Sequence, residues 1–150
     1  MTILIALHIL AAVVWVGGMF FAYMALRPAT GPLQPETRLT LWRDVFGKFF
    51  PWVWLSIAVL LASGYGIIFH YFGGFAGAGL SIHVMQGIGI VMMLVFGHLF
   101  FGPWRRFRAA VENKHFPEAA NSLNQIRRIV AVNLVLGLVT IVVGASGRFW

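Results

Sequence analysis

The chain carries five histidines, and three of them, His8, His83 and His98, fall inside long apolar segments. An ionisable group in hydrocarbon is costly, so its presence there marks a site with a partner or a ligand. Histidine is the usual axial ligand of haem iron and a common ligand of copper and zinc. Cysteine is absent, which excludes disulfides, thiolate-held iron–sulfur clusters and covalent haem attachment through a CxxCH motif. The carboxylates Glu36, Asp44, Glu112 and Glu118 all lie outside the apolar segments. Paired buried carboxylates are therefore excluded, and proton transfer within the spans falls to histidine or water.

The elements that position these histidines are membrane spans. Of 150 residues, 60% are hydrophobic and 10% charged, where soluble domains carry about a quarter charged. Residues 2–26, 51–71, 80–101 and 129–147 each approach or exceed the roughly 20 apolar residues that cross a bilayer core. The expected fold is all-α: an integral membrane four-helix bundle in a single domain over residues 1–150. Arg27-Pro28 with Pro32 and Pro35 is expected to end the first helix, and the second span begins at Pro51. Ala119, Ala120, Leu123 and Ile126 at helical spacing carry the fourth helix back towards Pro117.

Of the eleven Lys and Arg residues, Arg27, Arg38, Arg43 and Lys48 flank or fill the first loop. Arg105, Arg106, Arg108, Lys114, Arg127 and Arg128 do the same for the third. The glycine-rich second loop has none, and only Arg148 follows the last span. The positive-inside rule makes loops one and three cytoplasmic and places both termini on the outer, periplasmic side of a bacterial inner membrane. Trp42, Trp52, Trp54 and Trp104 mark the inner interface, and Phe149 and Trp150 the outer one. The first span has no basic residue ahead of it and no small-residue cleavage site, so it is expected to be retained. Topology accounts for the net charge of +7. The expected partner is the lipid bilayer, with no nucleic acid.

At about 100° per residue, His8, Ala11, Ala12, Trp15, Met19 and Ala22 form one stripe of the first helix. His83, Gly87, Ile90, Leu94, Gly97 and Phe101 form one stripe of the third, with His98 about 60° aside. Small residues let helix backbones approach closely; they also leave room for a flat macrocycle. His8 and His83 share the outer leaflet and are expected to hold one metal centre, a haem b between the first and third helices. His98 stands 15 residues on, roughly 22 Å along the helix, as in di-haem membrane cytochromes b. It serves a second centre or bonds a neighbouring helix. Arg148 pairs with a haem propionate or anchors the topology. His70 reads as an interfacial residue and His115 as a solvated one. Asn133 and Gln86 read as polar contacts between helices.

The segment Ala6–Phe20, ALHILAAVVWVGGMF, resembles the opening helix of the CopD-like membrane family, which also occurs in the HemJ-type protoporphyrinogen oxidases. Ile82-His83-Val84 followed by Gly97-His98 is similar to the paired-histidine helix of the HemJ group. The stretch from Arg128 through Asn133 and Gly137 to Gly147-Arg148 resembles short CopD-family proteins. The resemblance implies that His8, His83 and His98 are functional. It also implies a b-type cytochrome or haem-dependent oxidoreductase taking electrons from a quinol or a porphyrinogen. The HemJ pattern has a lysine two residues after the third-helix histidine where this chain has Met85, and an Asn-Glu pair near the last helix that this chain lacks. The CopD side of the likeness implies copper as the alternative cargo, transported through a homo-oligomer. Soft thioethers suit Cu(I); Met19 lies on the histidine stripe, while Met85 and Met92 lie about 200° and 180° from His83, facing lipid or another helix. A structural subunit without cofactor is the third reading.

Overall fold

The computed structural model describes residues 1–149; Trp150, placed above at the outer interface, lies outside the described residues. Helix α1 covers Thr2–Phe21, followed by a π-helical turn at Ala22–Leu26 and the short α2 at Arg27–Thr30. Then come α3 (Pro35–Tyr71), α4 (Leu80–Phe101), α5 (Pro103–Glu112) and α6 (Phe116–Ser146). Four segments, Thr2–Thr30, Pro35–Tyr71, Leu80–Glu112 and Phe116–Phe149, are long and apolar enough to cross a bilayer. No strand occurs among the described residues.

Two helix ends differ from the sequence expectation. The first helical segment runs past Arg27-Pro28 to Thr30. Proline has no N–H to close the ladder, and the wider π turn at Ala22–Leu26 takes up the mismatch, with Arg27 N–H reaching back to the Ala22 carbonyl. The second helix begins at Pro35, with Pro51 inside it. Pro51 lies on the exposed face, and the helix continues because Phe46, Phe50 and Val53 on either side are locked in the core. The fourth helix begins at Phe116, in line with the periodicity before Arg128.

Four crossings return the chain to its starting side. Leu4 beside Gly66 and Ser81 beside Gly147 gather the N-terminus, the 72–79 loop and the C-terminal turn at one end, the terminal end. The opposite, basic end carries the arginine-rich connections. Helix α1 pairs closely with α3, and α4 with α6, while α6 also meets α1 and supports α5. Both close seams set a large side chain against a glycine. On the first, Phe49 covers Gly18 and Leu4 covers Gly66; on the second, Met92 and Val16 cover Gly137 and Met85 covers Gly144. A Cβ at Gly137 would stand 2.8 Å from Val16 Cγ2 and 3.2 Å from Met92 Cε, so the backbone comes as near as it can. Aromatic rings bridge α3 to α4 and α5: Phe50 lies 5.4 Å from Phe96 and 5.1 Å from Trp104, and Trp54 lies 5.1 Å from Phe96.

The α1 stripe packs as its periodicity implies: Ala11, Trp15, Met19 and Ala22 are buried, His8 and Ala12 half-buried. The α4 stripe does not. His83, Gly87, Ile90, Leu94 and Phe101 are exposed, and the buried residues of α4 are Met92, Phe96 and Leu99. A Cβ at Gly87 or Gly97 would meet nothing within 4 Å. The close approach is made by glycines of α6, which receive methionines from α4; the face of α4 is therefore chosen by its partner.

Candidate functional site

His8 is the one proposed ligand that faces the bundle interior. Gly64 makes room for it: a Cβ there would lie 3.2 Å from His8 Cε1. The imidazole Nδ1 stands 3.0 Å from Ser63 Oγ. Ser63 has a single proton, and it goes to the Val59 carbonyl at 2.6 Å. The hydroxyl oxygen must therefore accept, so Nδ1 carries the hydrogen and donates it. With Nδ1 donating to Ser63, Nε2 is left bare, the form in which histidine binds metals, its other ring N–H held by a neighbour.

A second polar group lies at mid-bundle. Asn133 is 3% exposed, and its Nδ2 donates to the Met92 carbonyl at 3.2 Å, the helix–helix contact expected of it. Its Oδ1 is buried without a partner. It borders a small apolar cavity lined by Trp15, Met19, Phe50, Phe96 and Leu99, with room for about one water. The Met92 thioether lies on the same seam, 4.0 Å from Thr140 Oγ1; that hydroxyl spends its proton on the Leu136 carbonyl at 2.8 Å. Met19 and Met92, both 3% exposed, thus bring two soft sulfurs into the interior. Nearer the terminal end, Gln86 Nε2 donates to Tyr65 Oη at 3.3 Å.

The other histidines and Arg148 lie outside this interior. His83 is on the exposed face of α4, its ring 6.5 Å from that of Phe75 and tilted 24° from it. His98 is exposed near the basic end. Arg148 is exposed, its guanidinium 4.5 Å from the ring centre of Phe149. His70 is exposed with Nδ1 3.1 Å from the Gly66 carbonyl, and His115 lies 3.8 Å from Glu118. No cluster of three or more His, Cys, Asp or Glu side chains forms a metal cage among the described residues. A haem spanning His8 and His83 would need both rings to face one slot. His83 faces outward and the mid-bundle space admits a water, so these residues do not fit that group.

Ser63 was missed by sequence reasoning. Its signal was the pair Ser63-Gly64 within an apolar span, seven residues after the equally buried Ser56: small and polar on the face turned to α1.

Residues 43–146 match the family model described as copper resistance protein D, CopD. The chain belongs to the CopD family. It is a multi-pass membrane protein of the copper-resistance kind, and the matched stretch contains Ser63, Met85, Met92 and Asn133, with His8 ahead of it. A protein of Aquifex aeolicus (strain VF5), described as uncharacterized, is 27% identical over 143 residues, covering 95% of this chain and 91% of that protein. No solved structure matches.

Proposed function

We propose that this CopD-family chain handles copper within the membrane, with Cu(I) as its cargo and the basic end in the cytoplasm. The family match over residues 43–146 carries the reading. The donor chemistry supports it. His8 offers a bare Nε2, and Met19 and Met92 offer thioethers, ligands that suit Cu(I) better than hard cations. His8 lies in the terminal half, where copper from outside the cytoplasm arrives first; the sulfurs lie deeper. Ser63 is a positioning residue: by accepting the Nδ1 proton it aims Nε2 and fixes the tautomer. Asn133 Oδ1 is an additional acceptor beside Met19 for a water or a passing ligand.

The test is copper retained by the detergent-purified full chain after loading with Cu(I) under reducing conditions and gel filtration. Wild type, His83→Ala and His98→Ala retain it; His8→Ala loses it. Ser63→Ala weakens retention roughly tenfold, the scale of a lost outer contact to a metal ligand. A wild-type chain that holds no copper, or a His8→Ala chain that holds as much, overturns the reading. A Soret band from the same preparation would replace copper with haem.

A further inference from the structure

The basic end contains a second site, unrelated to the histidines. The π turn at Ala22–Leu26 delivers Arg27 to the flank of a small cavity between that turn, α3 and α6, lined by Tyr23, Arg27, Trp42, Phe46 and Arg127. Such π-helical turns recur at functional positions. The Arg27 guanidinium stands 4.9 Å from the centre of the Tyr23 ring. Trp42 Nε1 donates to Thr30 Oγ1 at 3.3 Å, which ties α2 against α3 and holds the wall in place. Arg127 comes from α6 and is half-buried. It gives Nη1 to Asn124 Oδ1 at 3.4 Å, but its Nε is buried with no partner. Arg38 stands near enough for its charge, like that of Arg27, to act on Arg127, and it donates only to the Gly31 and Leu33 carbonyls at 3.4 and 3.5 Å.

Two guanidinium groups, from α2 and α6, thus line one cavity with the charge of Arg38 on α3 acting from its rim. None of the three has a carboxylate partner among the described residues: the ion pairs there are Arg43–Asp44 and His115–Glu118. Positive-inside topology does not require this arrangement. Lys48, Arg105, Arg106, Arg108, Lys114 and Arg128 meet that demand from exposed positions. Half-burying like charges together costs free energy unless an anion joins them, and a buried unpaired donor calls for a missing acceptor.

We propose that Arg27 and Arg127, with Arg38 at the rim, form a binding site for a phosphate oxyanion at the basic end of the bundle. The forked guanidinium matches phosphate geometry. Trp42 and Phe46 give an apolar floor suited to the glycerol backbone of a phospholipid, and basic pockets between membrane helices commonly take anionic head groups. The same donors would also accept free phosphate.

The experiment uses the full chain, purified and stripped of lipid in detergent, with thermal unfolding followed as ligand is added. Phosphatidylglycerol is expected to raise the unfolding temperature by several degrees, and phosphatidylcholine, whose head group is neutral overall, by much less. A response to inorganic phosphate equal to that of phosphatidylglycerol would assign the site to the soluble anion. The double variant Arg27→Gln/Arg127→Gln loses the response, while Arg105→Gln/Arg108→Gln, which removes the same charge elsewhere, keeps it. Should the first pair fail to fold, Arg127→Lys retains the charge without the fork and is expected to hold several-fold less lipid in native mass spectrometry. The proposal is overturned if neither ligand moves the wild type, if the two double variants respond alike, or if Arg127→Lys retains lipid like wild type.

Discussion

The two halves of the bundle are built by different rules. At the basic end Trp42, Phe46, Phe50, Phe96, Trp104 and Phe107 are each at most 4% exposed, and Phe46 and Phe50 stack 5.0 Å apart at 7°. Leu39, Leu123 and Ile126 close around them. At the terminal end the inward residues His8, Tyr65, Met85 and Gln86 are only half-buried, and contact is made one side chain at a time against glycines. One half is a packed scaffold. The other keeps polar and soft groups within reach of a ligand, and its sparser burial predicts that it opens locally before the aromatic half.

The sharpest way to break this contrast is to cut into the scaffold. Phe107 is fully buried, 6.1 Å from Trp104 and 6.5 Å from Phe46. Phe107→Ala should cost about 3–5 kcal/mol, seen as a large fall in unfolding temperature and in the folded fraction on gel filtration. A loss no greater than that of Leu4→Ala, at a half-buried position of the terminal half, would erase the distinction between the halves.

A smaller effect is expected from overfilling the seam between them. Gly137→Ala places a methyl against Val16 and Met92 and should destabilise by about 1–3 kcal/mol. Gly17→Ala meets nothing within 4 Å and should be neutral or slightly stabilising, since alanine suits a helix better than glycine. Equal thermal shifts for the two would mean that α6 does not lie against α1 as described.

These two glycines also show what the sequence could disclose. Gly17 and Gly137 look alike in a string; which one makes a close approach depends on the helix opposite. For α1 the 3.6-residue period sufficed, because Trp15 and Met19 lie in line with His8 and the bulky stripe is the buried one. For α4 it failed, because α6 presents Gly137 and Gly144, and these receive Met92 and Met85 in preference to the glycine face bearing His83. The spans were legible from hydropathy, but hydropathy measures the hydrocarbon and not the helix: the apolar span starts at Pro51, and α3 starts sixteen residues earlier, at Pro35. His8 was legible as an ionisable group in an apolar run. Ser63 was not, because a serine bonded to the carbonyl four residues back is indistinguishable in sequence from ordinary helix filler.

Next in size is Ser63→Ala, which removes the acceptor for the His8 Nδ1 hydrogen and should cost about 1 kcal/mol. The effect on copper retention should exceed the effect on stability, because a ring without its anchor can turn or change tautomer. Equal proportional losses in both would mark Ser63 as a plain structural contact.

The smallest effect sharpens the comparison most. Tyr65 and Gln86 make the side-chain hydrogen bond that joins α3 to α4 in the terminal half, at 3.3 Å, and both residues are half-buried. Hydrogen bonds between membrane helices average about 0.6 kcal/mol in double-mutant cycles. Tyr65→Phe, Gln86→Leu and the double variant, compared by thermal unfolding, should therefore give a coupling of about that size. Each single change should leave the aromatic end intact. A coupling above roughly 2 kcal/mol would exceed the range seen for such pairs and make this contact a lock. A weak coupling leaves the terminal half held chiefly by the glycine contacts of α1 with α3 and of α4 with α6.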